Sequence, residues 1–181
     1  MAEKQLTLEV SKKYLERWAG SYLKIYLNEN GNSDIENIFI SNSDEDKILK
    51  IDLKTAYKSL TLYDIQNRKS LGIITAQVKT HTPNNINHYY HSQELENNDY
   101  FIFYEKPFSE ELILENNYAN DQNALYNSLQ GSCIHIISTE KIKELSLDPN
   151  NDINDRGSNG KFYVIPDSVI QEHSNRTFVI I

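Results

Sequence analysis

A chain of 181 residues, 39% hydrophobic and 24% charged, carries enough apolar material for one folded domain, and that balance excludes a disordered or membrane-embedded body. No stretch approaches the roughly 18–20 apolar residues that cross a bilayer, and the opening MAEKQLTLEV lacks the basic-then-apolar pattern of a secretory signal. A net charge of −8 argues against a coat of clustered Lys and Arg for nucleic acid, although a carboxylate cluster filled by a divalent cation inverts the local sign. The lone Cys133 leaves no internal disulfide and fits a reducing compartment, so the expected location is the cytoplasm.

Val10, Tyr14, Trp18 and Tyr22 recur every four residues, which predicts a helix over Glu9 to Tyr22, with Gly20 loosening its end. Alternation predicts strands over Tyr22 to Leu27, Ile35 to Ile40 and, at greater length, Ile48 to Tyr57. Leu60 to Ile65 and Leu71 to Lys79 are two further strand candidates. A helix is expected over Ile86 to Glu96, and the continuous apolar run Tyr100 to Tyr104 predicts a strand buried on both faces. Ser109 to Asn116 and Ala119 to Gln130 lean helical, Ile134 to Ile137 predicts a strand, and Thr139 to Leu145 a short helix. The Asp-, Asn- and Gly-rich stretch Leu147 to Gly160 is expected to be a loop, and Phe162 to Ile165 and Thr177 to Ile181 close the chain as strands. The class is α/β (α+β), with residues 1–181 in a single domain.

Chemistry concentrates in Lys50-Ile51-Asp52-Leu53-Lys54. On a strand, side chains two apart share a face, so Asp52 and Lys54 would project together with apolar residues behind them. A carboxylate that holds a divalent cation, beside an ammonium that orients water or stabilises developing charge, suits phosphodiester hydrolysis. Hard cations want several oxygen ligands, and Asp34, opening the preceding strand, is a candidate partner for Asp52.

Ser33-Asp34 followed by Ile51-Asp52-Leu53-Lys54-Thr55-Ala56-Tyr57 resembles the PD-(D/E)xK nuclease superfamily, and type II restriction endonucleases in particular. The resemblance implies a restriction-endonuclease-like core, a mixed central β-sheet flanked by helices, over about residues 9–105, with a C-terminal extension over 106–181. It implies a Mg²⁺- or Mn²⁺-dependent endonuclease acting on double-stranded DNA as a homodimer. Asp34 and Asp52 would ligate the metal, Lys54 would position the attacking water, and Glu9 or Glu16 of the preceding helix could add an acidic group. The stretch containing Arg156, Ser158, Asn159 and Lys161 is similar to loops that read base edges and phosphates in some of these enzymes.

A second pattern overlaps the first. Asp64, followed by Gln77-Val78-Lys79, resembles the superfamily variant in which Gln replaces the acidic residue of the triplet, and a helix and the apolar strand Tyr100 to Tyr104 follow it. The pair Asp34/Asp52 is preferred because two anionic ligands hold a cation better than one acid and a neutral amide. His88 and His91, with His81 nearby, suggest zinc, but no cysteine or further ligand completes a recognisable set. From a different class comes an acidic, noncatalytic protein of immunity or antitoxin type bound to a basic protein partner, which the charge and the run Asp44-Glu45-Asp46 favour.

Overall fold

The computed structural model describes residues 2–32, 35–85, 87–146 and 162–181. Its first element, α1 (Ala2–Glu29), is a helix of 28 residues. It overruns the predicted helix and replaces the predicted strand at Tyr22 to Leu27. The four-residue spacing simply continues: Leu15, Ala19, Leu23 and Leu27 are all buried on one side of it, and Tyr22 and Tyr26 extend the aromatic stripe. Gly20 lies within the helix, not at its end. A Cβ there would meet Ile38 Cγ2 at 3.2 Å and Leu53 Cδ2 at 3.6 Å, so the glycine lets α1 lie close against the strand that follows Asp52.

Strands β1 (Phe39–Ile40) and β2 (Leu53–Lys54) are much shorter than their patterns predict. Instead of one strand over Ile48 to Tyr57, the chain makes a π-helical turn at Glu45–Leu49, then takes a left-handed conformation at Lys50 (φ 56°). The carbonyls of Leu49 and Lys50 are met by the side-chain amides of Asn97 and Asn98, each at 2.7 Å, instead of by a neighbouring strand. Most of the predicted strand at Leu60 to Ile65 is helical, in α2 (Leu62–Gln66). Thr61 explains it: its Oγ1 accepts from Asp64 N at 3.3 Å while Asp64 Oδ2 accepts from Thr61 N at 2.9 Å, a reciprocal cap that outweighs an alternating apolar pattern.

β3 (Thr75–Lys79) follows, then β4 (Asn87–His91), α3 (Ser92–Asn97) and β5 (Tyr100–Tyr104). The predicted helix at Ile86 to Glu96 is therefore half strand, because β4 finds a partner in the distant β7 (Phe162–Pro166). The remaining elements are α4 (Glu110–Glu115), α5 (Gln122–Leu129), β6 (Cys133–Ser138), α6 (Thr139–Ser146), α7 (Asp167–His173) and β8 (Arg176–Val179).

The central sheet runs β1-β2-β3-β5-β6-β8, with β3 and β5 parallel and the other neighbours antiparallel. The architecture is mixed α/β with a mixed central sheet, as expected. β5 sits inside it, and its alternation feeds two cores. Ile102 and Tyr104 pack with α1 and α5, where Tyr104 Oη donates to Leu15 O at 2.6 Å. Phe101 and Phe103 face the other way, against Tyr90, Ile142, Ile165 and Ile170. Burial on both faces is why this strand is apolar at every position. Among the described residues, no helix is long and apolar enough to cross a membrane.

Candidate functional site: a carboxylate cluster at the α1–β2–β3 junction

Asp52 immediately precedes β2 and is locked on both sides. Its carbonyl accepts from Ser41 N at 2.8 Å, and its amide donates to Ala76 O at 3.1 Å, extending both ladders by one residue. The side chain then turns toward β3, where Oδ2 accepts from the Val78 amide at 2.9 Å. Pairing of Leu53 with Ala76 and of Lys54 with Thr75 brings Asp52 level with Gln77.

From the other side, α1 presents Lys12 and Glu16, one turn apart on the same face. Lys12 Nζ lies 2.9 Å from Asp46 Oδ2, 3.5 Å from Glu16 Oε1 and 3.5 Å from Asp52 Oδ1. Lys13 Nζ holds the second oxygen of Glu16 at 2.8 Å. Glu16, Asp46 and Asp52 each offer one oxygen within 4.8 Å of the others. Both Glu16 and Asp52 are wholly buried, and Glu16 Oε1, Asp52 Oδ1 and the nearby strand's Gln77 Oε1 have no hydrogen-bond partner.

The electrostatics follow from that crowding. Burial is the largest influence on Asp52 and pushes its carboxyl up to about 7; Lys12 opposes the shift and Glu16 adds to it. Burial likewise raises Glu16, against the pull of Lys13 and Lys12. Burial works against the charge on Lys12 too, yet Asp52, Asp46 and Glu16 together hold its ammonium above the ordinary lysine range. The Lys12 ammonium thus sits where three carboxylates converge, an arrangement that suits a divalent cation by charge and by ligand type.

The two sequence patterns are mixed here. Asp52 belongs to the first and Gln77-Val78-Lys79 to the second, and the structure joins them through the Asp52–Val78 hydrogen bond. By strand alternation Gln77 and Lys79 share one face, while Ala76 and Val78 pack toward α1. Lys79 Nζ is paired with Glu94 of α3 at 2.7 Å and lies 5.8 Å from the centre of the Tyr90 ring.

Lys54 and Asp64 are placed elsewhere. Lys54 is buried, its ammonium bonded to Glu45 and, at 2.9 Å, to the carbonyl of Lys58. Glu45 also accepts from Leu60 N at 2.5 Å and Asn42 N at 2.8 Å, so the pair braces the loop between β1 and β2. Against its burial, the Lys54 hydrogen bond holds the Glu45 carboxyl below its usual range. Asp64 caps α2 and pairs with Lys58 at 2.6 Å, which lowers its carboxyl, and it takes no part in the Asp52 cluster. Asp34 lies outside the described residues, as do Arg156, Ser158, Asn159 and Lys161.

Lys12 and Asp46 carry no motif in sequence. The available signal was the spacing of Lys12 and Glu16 on one helical turn beside a stripe already destined for the core. A cleft of about 280 Å³ between α1, β3 and the start of α4 opens beside Lys12 and Glu16, with Val78, Thr80 and Phe108 on its walls. In comparisons with known proteins, no family model, curated protein or solved structure matches this chain.

Proposed function

We propose that the chain is a Mg²⁺-dependent (or Mn²⁺-dependent) DNA endonuclease of PD-(D/E)xK type, acting in the cytoplasm on double-stranded DNA as a restriction-type homodimer. Its site is Asp52 and Glu16, with Asp46 at the rim and Gln77 and Lys79 on the adjoining strand. One observation carries the reading: two buried carboxylate oxygens, on Glu16 and Asp52, face a shared cation position without hydrogen bonds of their own, and Asp52 is tied directly to the Gln77-Val78-Lys79 strand. The order of elements supports it, with antiparallel β1, β2 and β3, then α3, then β5 parallel to β3.

Glu16, Asp46 and Asp52 would hold the cation, and Gln77, level with Asp52 in the β2–β3 register and with its amide oxygen unpartnered, is the neutral group that would join them. Bound there, a divalent cation supplies Lewis-acid polarisation of the scissile phosphate. Lys79 has the chemistry to orient an attacking water and to stabilise negative charge on the phosphoryl oxygens, and Glu94 fixes where its ammonium sits. Val78 N–H keeps the Asp52 carboxylate turned toward the cluster.

The test is plasmid cleavage with Mg²⁺ by the wild type and by Asp52→Ala, Glu16→Ala and Lys79→Ala. Cleavage is expected in the wild type and falls by at least about a hundredfold in each variant, the scale of losing one transition-state contact. Failure of the wild type to cut any DNA with Mg²⁺ or Mn²⁺ overturns the proposal. In that outcome the −8 charge favours an acidic, noncatalytic protein seated on a basic partner, which co-purification with that partner would reveal.

A further inference from the structure

On the face of the central sheet away from α1, a second group of metal-ligating side chains converges from separate segments. His88, on β4, is 3% exposed, and its Nε2 lies 2.8 Å from Asp167 Oδ1. Asp167 opens α7 directly after β7, the strand that pairs with β4. His81 comes from the segment between β3 and β4, and its carbonyl is anchored by the Phe108 amide at 2.7 Å. Its ring meets that of His88 edge-on, with centroids 5.2 Å apart. One ligand atom from each of His81, His88 and Asp167 lies within 4.8 Å of the others.

Two nitrogens at this place are unexplained by the protein's own hydrogen bonds. His81 Nδ1 is buried without a partner, and so is Nε2 of His135, a residue only 4% exposed. His135 stands directly across from Phe103 in the β5–β6 ladder, and His88 packs on the Phe103 ring at 4.4 Å. Thr177 Oγ1 fixes the other side of the His135 ring at 2.9 Å, and its imidazole is within electrostatic reach of Asp167 and His88. Three of the chain's five histidines are thus gathered at one buried spot beside a carboxylate.

We propose that His81, His88 and Asp167 form a transition-metal site for which Zn²⁺ is the best chemical match, with the fourth position open to His135 or a water. Two imidazoles and one carboxylate suit a borderline cation with tetrahedral preference, whereas Mg²⁺ and Ca²⁺ want oxygen alone. Metal–ligand bonds of about 2.0–2.1 Å put tetrahedral ligand atoms about 3.4 Å apart, so the His88–Asp167 pair, now at 2.8 Å, would open slightly while the remaining ligand atoms, all within 4.8 Å of one another, adjust around the ion. His91, the histidine that spacing suggested, is not in the set: its Nδ1 accepts from Gln93 N at 3.2 Å and caps α3. A metal here would fasten the β4–β7 pair and α7 to the loop leaving β3, and it would not depend on the carboxylate cluster across the sheet.

The experiment is titration of metal-stripped full-length protein with Co²⁺, followed by displacement with Zn²⁺. Saturation at one equivalent, with the intense visible absorption of tetrahedral Co²⁺ and a rise in melting temperature on Zn²⁺ addition, is expected. His81→Gln and Asp167→Asn, each checked as folded by circular dichroism, should weaken binding by at least about tenfold, the loss typical of a removed ligand or its support. Asp52→Asn should leave it intact, which separates this site from the proposed nuclease centre. Absence of saturable uptake in the wild type, or uptake unchanged in folded His81→Gln and Asp167→Asn, overturns the assignment.

Discussion

Asp52 accepts a hydrogen bond from the Val78 amide at 2.9 Å through one carboxylate oxygen, while the other faces the Lys12 ammonium at 3.5 Å. One residue therefore links the strand bearing Gln77 and Lys79 to the first helix. The same burial that makes the link also makes its charge costly.

That cost has a sign. Asp52 is lifted from its ordinary 3.8 to about 7, so the folded protein favours the neutral acid more than the unfolded chain does. The stabilisation is complete below the unfolded value and is lost as pH rises through about 7. Within that window each pH unit changes stability by up to about 1.4 kcal/mol. Thermal unfolding of the metal-free wild type should show a falling melting temperature from about pH 5 to about pH 8, and Asp52→Asn should flatten the decline. A decline of equal slope in the variant would assign it to other groups, Glu16 first among them.

Removing Lys54 should affect the fold first. The Lys54–Glu45 pair is buried, with 4% and 2% of the two side chains exposed, and Lys54→Met strands a carboxylate among backbone amides. A loss of about 3 kcal/mol in denaturant unfolding is expected, the usual size for breaking one partner of a buried pair. Any DNA cleavage, measured per folded molecule, should survive. Loss of cleavage in a fully folded Lys54→Met would return this residue to a catalytic role.

Gln77 offers the opposite manipulation. Its amide oxygen is buried without a partner, level with Asp52 in the β2–β3 register. Gln77→Glu adds an anion to the cation position, so half-saturating Mg²⁺ should fall by about three- to tenfold as ligand charge rises. The same variant in chelator should melt below the wild type, because the added charge is then uncompensated. Unchanged Mg²⁺ dependence would place Gln77 outside the ligand set.

Sequence pattern was informative where one element decided its own structure. Tyr100 to Tyr104 is apolar throughout and is a doubly covered strand; the Leu15-to-Leu27 spacing announces a helix once its continuation through Tyr22 and Tyr26 is followed. Pattern failed where a partner far along the chain decided. Asn87–His91 is extended because Phe162–Pro166 pairs with it, and nothing local says so. At the site, Asp52 was legible from its triplet and Glu16 was offered by the resemblance, but Lys12 and Asp46 were not; Lys54 lies two residues on, yet its ammonium turns to Glu45. The carboxylate meets Glu16 and Lys12 instead, through packing of α1 that no strand period encodes.

The pairing of β4 with β7 also sets an order of events during synthesis. When Asn87–His91 leaves the ribosome, its complement at Phe162–Pro166 has not yet been made, and α3, β5, α4, α5, β6 and α6 must all emerge first. Through that interval β4 has an unfilled ladder next to the apolar Phe101 and Phe103 faces, the kind of nascent edge that invites pairing with a neighbouring chain. Closure that waits on so distant a segment is slow. A nascent-chain chaperone would have its largest effect on this protein between translation of β4 and release of β7.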